Sequence, residues 1–416
     1  IALTTATAVA QDSGPLVDLL VKKGLINDQE AEELRTDLAK DFASNTAAGK
    51  LNLGNQITEF KLGGDVRLRH QTESKLAQTA GATTADQTRE RFRFRFNGDV
   101  LMQKGWSAGF ALETASAADS GNETFTNGNS DYNIYLARAY IGWQPRNDLK
   151  FVFGKQRNPL YTTDLVWDAD INPQGVSENY TYSLGGSDTL EFRGLQCIMG
   201  DNPESTFGPK GNDSWLFVQQ AVLTKTLGAA KLILAPGYTV YAHSVLTLAD
   251  KSNETQFSGS TDGLSLFTFA GELGFANVGG RSNNVKLYWD SSYNFDAGTR
   301  VHKVYALPSA DKDALAWLVG VGYTNGTGKL QGDWGVKVDY RRLGLGSVDP
   351  NLSDSDFAFG NLNQSGFKAT ATYNLVDFCS LNVSYFRTSD IRDSLNHPVA
   401  ALDKSNILQV DLVTKF

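Results

Sequence analysis

The feature that most constrains this chain is a strict alternation of charged and aromatic side chains at residues 91–96. The segment reads Arg91-Phe92-Arg93-Phe94-Arg95-Phe96. Successive side chains of a β-strand point to opposite faces, so such a strand carries arginines on one face and phenylalanines on the other. The same period of two recurs at 334–341 and 408–416.

A strand with one charged face and one apolar face needs two different surroundings. Burying the charged face in a protein core would cost several kcal/mol for each unpaired ion, whereas a water-filled interior removes that cost. The mean hydropathy is −0.29, and no stretch approaches the ~18 to 20 apolar residues that a membrane-spanning helix requires. A membrane β-barrel remains possible, because its strands show lipid only every second side chain.

From residue 57 onward the alternation predicts about sixteen strands, the even number typical of single-chain bacterial barrels. The predicted strands are 57–72, 88–102, 105–115, 131–144, 149–157, 175–184, 189–199, 213–225, 229–243, 264–276, 283–294, 313–324, 331–343, 366–375, 379–389 and 404–416. Short turns are expected near 103, 146, 186, 228, 279, 328 and 377. Longer polar loops are expected near 80, 123, 165, 206, 253, 303, 355 and 396. We therefore predict an all-β fold, a transmembrane antiparallel β-barrel over 57–416 with a short N-terminal helical segment.

Residues 1–10 end in Ala8-Val9-Ala10 before Gln11, which matches the end of a secretory signal with an A-x-A cleavage site. We interpret this stretch as a signal-peptide remnant, and the alternative is a disordered Ala/Thr-rich terminus. Residues 11–50 carry helical periodicity and predict a periplasmic helical segment.

Within that segment, Pro15 can start a short helix reaching Lys23, with Gly24 just past its end. Asn27 stands three residues before Glu30 in a capping arrangement. The following helix would present an apolar stripe of Ala31, Leu34, Leu38 and Phe42. This stripe could form a helical hairpin, lie against the barrel mouth, or contact a partner such as the cell wall.

Several function classes find no support in the sequence. A net charge of −8 gives no reason to expect a nucleic-acid partner. Cys197 and Cys379 lie about 180 residues apart and are interpreted as wall residues, not as a metal site or a disulfide framework. The four histidines have no recognisable neighbouring motif, so we expect no catalytic site, no metal and no cofactor.

The last strand has apolar residues at alternate positions and ends in Phe416, which resembles the C-terminal assembly signal of outer-membrane barrels. Together with the expected export and the alternating turn lengths, residues 57–416 resemble bacterial porins. The helical preface, the segment Phe153-Gly154-Lys155-Gln156 and the loop Trp167-Asp168-Ala169-Asp170-Ile171-Asn172-Pro173 are similar to the putative-porin group related to phosphate-selective porins.

This resemblance implies a sixteen-stranded barrel in the bacterial outer membrane, often a homotrimer, in contact with lipid and lipopolysaccharide. It implies passive diffusion of small hydrophilic solutes and ions, and a third external loop that folds inward to form a constriction. The matching segment is 158–175.

The predicted constriction has an acidic side and a basic side. The loop carries Asp164, Asp168 and Asp170 around Trp167. The opposite side is a set that we call the arginine wall, and it consists of Arg67, Arg69, Arg91, Arg93, Arg95, Arg138 and Arg193. Charged rings of this kind set pore selectivity. Alternatively, the arginines pair with Asp65, Glu113 and Glu191 and only stiffen the wall.

The acidic total and the three loop aspartates depart from an anion-specific pattern. We therefore predict a general diffusion pore with at most mild anion preference. Two other classes remain open at this stage: a barrel that serves as a structural sheath or receptor, and a soluble secreted carbohydrate-binding β-protein.

Overall fold

The computed structural model describes residues 14–27, 29–37, 54–77, 84–115, 119–126, 128, 131–200, 213–243, 261–280, 282–392 and 402–416. The predictions for residues 1–10, for Leu38 and Phe42, and for the loops near 80, 206, 253 and 396 lie outside these residues. The chain divides into two units, 1–56 and 57–416.

The first unit contains two short helices, α1 at Gly14–Lys22 and α2 at 29–37. Gly24 follows α1 with φ +67°, a left-handed conformation that glycine adopts without strain. Asn27 and Glu30 form reciprocal hydrogen bonds of 2.9 and 2.8 Å at the start of α2, as the predicted capping arrangement requires. Arg35 of α2 pairs with Asp18 of α1, which joins the two helices.

Within the described residues, no helix combines the length and the apolar character that crossing a membrane requires.

The second unit is an antiparallel sheet whose strands match the predicted segments closely. They are β1 Ile57–Ala77, β2 Ala85–Met102, β3 Trp106–Thr114, β4 Glu123–Thr124, β5 Ile134–Arg146, β6 Leu149–Lys155, β7 Gln174–Gly185, β8 Asp188–Gly200, β9 Ser214–Leu227, β10 Ala230–Ala242, β11 Ser265–Phe275, β12 Asn284–Asn294, β13 Leu315–Asn325, β14 Trp334–Leu343, β15 Gln364–Val376, β16 Cys379–Asp390 and β17 Leu402–Lys415. The two-residue β4 pairs with β2 beyond the end of β3, so these two segments occupy one position in the sheet.

The sheet closes on itself. When β3 and β4 are counted as one position, each strand pairs with its neighbours in sequence, and β1 pairs with both β2 and β17. The backbone of Phe416 exchanges two hydrogen bonds with that of Gly64, at 2.9 and 3.1 Å. The prediction of an antiparallel barrel of about sixteen strands is confirmed: the barrel has 16 strands.

The two faces of the sheet differ as the alternation predicts. Large apolar side chains such as Phe192, Val319 and Tyr340 remain exposed on the outer face. Charged side chains such as Arg93 and Asp339 are buried at alternate positions. These positions face the inside of the barrel. Their side chains contact segments that cross the interior and also contact strands on other sides of the barrel.

Two long connections run through the interior of the barrel. The first inward loop, residues 156–173 between β6 and β7, contacts β2, β9, β12 and β15 through hydrogen bonds. A segment that reaches four such widely spaced strands must cross the inside. The second inward loop, residues 344–363 between β14 and β15, is buried at nearly every residue.

The interior therefore contains an apolar core. This core lies near those ends of the strands that are connected by the long loops. Leu318, Leu343, Phe386 and Ile407 point inward from four different strands. They pack with apolar residues of both inward loops and with a helix, α3 at Ala297–Tyr305, in the connection between β12 and β13. The connections near 303 and 355 were predicted as polar external loops, and the structure instead packs parts of both against this core.

Candidate functional site

Five members of the arginine wall lie together on β1 and β2. In the antiparallel register Arg67 stands opposite Arg93, and Arg69 stands opposite Arg91. Arg95 lies next along β2, so the group forms a compact patch on the inner face. We call these five residues, Arg67, Arg69, Arg91, Arg93 and Arg95, the arginine cluster.

Wall carboxylates neutralise part of the arginine cluster. Asp65 accepts hydrogen bonds from Arg93 at 2.8 Å and from Arg95 at 2.7 Å. Asp411 of β17 accepts two bonds from Arg69, at 2.7 and 2.9 Å, in a bidentate pair. These pairs match the alternative interpretation in which arginines stiffen the wall, although they involve Asp411 as well as the expected Asp65.

The other two members of the arginine cluster have neutral partners. Arg67 donates to the amide oxygen of Asn122 at 2.5 and 3.1 Å. Arg91 donates to the backbone carbonyl of Asn122 at 3.2 Å. In the described part of the chain neither guanidinium has a carboxylate within 4.0 Å, so their positive charge is not locally compensated by an ion pair.

Arg138 and Arg193 lie on other strands than the arginine cluster. Arg138 on β5 donates to Asn97 at 2.6 Å and to Asn172 of the first inward loop at 3.4 Å. Arg193 on β8 pairs with Glu191 at 2.8 Å and donates to the carbonyl of Pro159 at 2.9 Å. Arg193 therefore anchors the first inward loop to β8.

The first inward loop is held by side chains of the barrel wall that satisfy its backbone. Gln220 of β9 accepts from the amide of Tyr161 at 2.8 Å and donates to its carbonyl at 2.9 Å. Asp290 of β12 accepts from both the amide and the hydroxyl of Thr163 at 2.9 Å. Trp167 is only 4% exposed, and its indole donates to the Ile171 carbonyl. Fixed anchors of this kind hold a loop in one position inside a wet lumen.

The three aspartates of this loop have three different surroundings. Asp170 faces the arginine cluster, with its Oδ1 at 3.5 Å from Arg95 and 3.8 Å from Arg93. Asp164 faces the opposite side and lies 3.4 Å from the ammonium of Lys368 on β15. Asp168 lies where the first inward loop contacts the second. Burial is the main cause that raises the pKa of its carboxyl group to about 8, and the nearby Asp354 carboxylate is the next.

A second charged group, which sequence reasoning did not identify as part of the site, ties the inward loops to the wall. Arg341 of β14 donates to Asp339 at 2.6 Å and to Asp354 of the second inward loop at 2.7 Å. It also lies 3.9 Å from Asp164, and Lys368 lies 3.6 Å from Asp354. The alternation placed Arg341 and Asp339 on the charged face of their strand, but nothing in the sequence marked their partners.

The second inward loop supplies another carboxylate to the arginine cluster. Asp356 lies with its Oδ2 3.6 Å from Arg69. Sequence reasoning assigned this residue to an external loop and therefore missed it. The interior thus has positive charge on β1 and β2 and negative charge on two loops that face them.

No match was found among curated proteins. Among solved structures, OprB of Pseudomonas putida, determined at high pH, aligns with a TM-score of 0.53 and 10% identity over 86% of this chain and 94% of that one. OmpF of Salmonella typhi, in complex with daunomycin, aligns with a TM-score of 0.50 and 12% identity over 88% of this chain and 100% of that one. At these identities the likeness supports the barrel fold.

A family model described as "Putative porin" matches residues 61–266 and 247–416, which is most of the chain. The family and the fold indicate a channel rather than an enzyme. The chain therefore belongs to the "Putative porin" family and is a bacterial porin, a multi-pass β-barrel of the outer membrane through which solutes pass by passive diffusion.

Proposed function

We propose that permeating solutes pass beside the arginine cluster and the loop carboxylates paired with it, and that this passage gives the pore a mild preference for anions. The observation that carries the proposal is the lack of ion-pair partners for Arg67 and Arg91 among the described residues. Their charge is available to a passing anion, because the groups that bind them in the described residues are neutral. Charged groups that line a narrow pore set its ion selectivity.

The members of the arginine wall would then have different roles. Arg69, Arg93 and Arg95 are ion-paired to wall carboxylates and mainly shape the local field. Arg67 and Arg91 attract anions directly. Arg138 contributes to the rim of the same passage, since its partners Asn97 and Asn172 are neutral.

The acidic side of the passage keeps the preference mild. Asp170 pairs with Arg93 and Arg95, so a permeating ion meets charge of both signs at this level. Neighbouring charges of both signs orient polar solutes and oppose tight binding of either ion. This balance supports general diffusion of small hydrophilic solutes and ions, and not specific uptake of one anion.

The surroundings of the barrel extend the proposal. The exposed apolar outer band supports contact with outer-membrane lipid and lipopolysaccharide. The resemblance to porins supports a homotrimer, and the Ala8-Val9-Ala10 pattern supports export with removal of a signal peptide. Leu19 and Leu34 are exposed on the N-terminal helices and Leu25 is exposed in the turn between them, which supports contact with a further surface such as the cell wall.

Planar-bilayer recording with the purified protein in a salt gradient tests the passage. The wild type should show discrete current steps, and the sign of its reversal potential should indicate a mild preference for anions. The double variant Arg67→Gln/Arg91→Gln should shift the reversal potential toward cation preference. Arg146→Gln is the matched control, because Arg146 is exposed beside a short turn and pairs with Asp148. An unchanged reversal potential in the double variant would remove both arginines from the permeation path.

A further inference from the structure

The second inward loop covers an apolar patch on the inner face of the barrel. Leu345, Val348 and Ala358 of this loop are fully buried, and Phe357 is 1% exposed. They pack against inward-facing side chains of β13, β14, β16 and β17. An apolar patch on the wall of an aqueous lumen is unfavourable unless something covers it. The loop is therefore a permanent part of the interior and not a mobile flap.

The two inward loops are also bound to each other. The amide of Asp168 donates to the carbonyl of Leu352 at 2.6 Å, and the amide of Asp354 donates to the carbonyl of Asp164 at 2.9 Å. Lys368 contacts the carboxylates of both Asp164 and Asp354. With shared backbone bonds and a shared cation, the two loops form one rigid body in the barrel interior.

This rigid body presents two carboxylates to the arginine cluster, one from each loop. Asp170 faces Arg93 and Arg95, and Asp356 faces Arg69. The Asp356 side chain is 37% exposed, whereas that of its partner Arg69 is 6% exposed. The Asp356 carboxylate is thus the more accessible of the two groups and can act on ions in the passage.

We propose that the second inward loop is a second constriction element and that Asp356 is a specificity-determining residue of the pore. Its negative charge offsets the attraction of anions by Arg67 and Arg91, and the loop confines the aqueous path to the β1 and β2 side. This inference rests on the proposed passage beside the arginine cluster. In addition, the connection between β14 and β15, and not only the one between β6 and β7, contributes to ion selectivity.

Bilayer recording of Asp356→Asn tests the proposal. Removing one charge a few ångströms from the path should raise the permeability ratio of anion over cation by about threefold at ~0.1 M salt. Asp148→Asn, in the exposed turn between β5 and β6, is the matched control and should leave the ratio unchanged.

The outcomes separate this inference from the proposed passage. If Arg67→Gln/Arg91→Gln shifts selectivity and Asp356→Asn does not, Asp356 has no role and the passage stands. If neither variant shifts selectivity, both ideas fail.

A second measurement covers the case in which Asp356→Asn disturbs the loop. Asp356→Cys, in a background where both native cysteines are serine, should react with a water-soluble thiol reagent, and a bulky adduct should lower the single-channel current. Asp148→Cys should be labelled without loss of current. Labelling at Asp356→Cys with no loss of current would overturn the assignment of this loop as a constriction.

Discussion

Replacing Arg341 by methionine should lower the free energy of unfolding more than a substitution of a neighbouring surface residue does, because it breaks a buried network of charged groups. The Arg341 side chain is 3% exposed, and its partners Asp339 and Asp354 are 7% and 10% exposed. Removing one partner of a buried ion pair typically costs about 3–5 kcal/mol, since the remaining charges lose their compensation. Lys368 stays 3.6 Å from Asp354 and retains part of that compensation. We therefore expect a loss near the low end, about 3 kcal/mol.

The assay is urea unfolding of the detergent-solubilised barrel, followed by tryptophan fluorescence. The adjacent Arg342 gives a matched control, because its side chain is 27% exposed and pairs with Asp313 near the surface. Arg342→Met should change the free energy of unfolding by about 1 kcal/mol or less. Equal losses in the two variants would refute the idea that the Arg341 network holds the inward loops.

Two further predictions follow from the site and from the closure of the barrel. The pKa of Asp168 is raised to about 8, mainly by burial and then by Asp354, so the folded chain binds this proton more tightly than the unfolded chain. Its contribution to stability should be complete below about pH 4 and be lost as the pH rises through about 8. Asp168→Asn should therefore reduce the fall in unfolding free energy between about pH 5 and about pH 9, and an unchanged fall would contradict the assignment. At the closure, a Cβ on Gly64 would lie 2.7 Å from the ring of Phe416 and 2.2 Å from a backbone oxygen of β2. Gly64→Val should lower the yield of folded barrel in a heat-modifiability gel, whereas Gly322→Ala, whose nearest neighbours are flexible lysine chains, should fold normally; equal yields would contradict the steric argument.

The strands were predictable because their signal is local. Alternation fixes which side chains share a face, and the turns between short-linked hairpins are marked by glycine, asparagine and aspartate. The segment Arg91 to Phe96 alone determines the two faces of β2, and the predicted ends of most strands lie within a few residues of the observed ones.

The path of the second inward loop could not be predicted in the same way. Its polar residues, such as Asn351 and Ser353, resemble those of an external loop, and its apolar residues follow no regular period. The loop turns inward because it fits an apolar patch that includes Leu318 and Phe386. These come from strands distant in sequence, so the patch exists only once the barrel has closed.

The partners of the loop carboxylates were hidden for the same reason. Asp164 contacts Lys368, which lies 204 residues later in the chain. Sequence reasoning grouped Asp164 and Asp170 as one acidic face, whereas the structure turns them toward opposite sides. A charge on a loop gives no periodic signal from which its direction could be inferred.

Successive side chains of each strand face water inside and lipid outside, and single cysteines on β15 test this arrangement most directly. Thr370 and Thr372 lie on the same face of β15 as the inward-pointing Lys368, and Thr370 stands opposite Lys337 of β14. Ala369 and Ala371 stand opposite outward-facing valines of β14. In lipid vesicles or bilayers, with the native cysteines replaced by serine, cysteine at 370 or 372 should react with a charged, water-soluble thiol reagent and lower the current. Cysteine at 369 or 371 should remain unreacted, and equal reaction at all four positions would contradict the account.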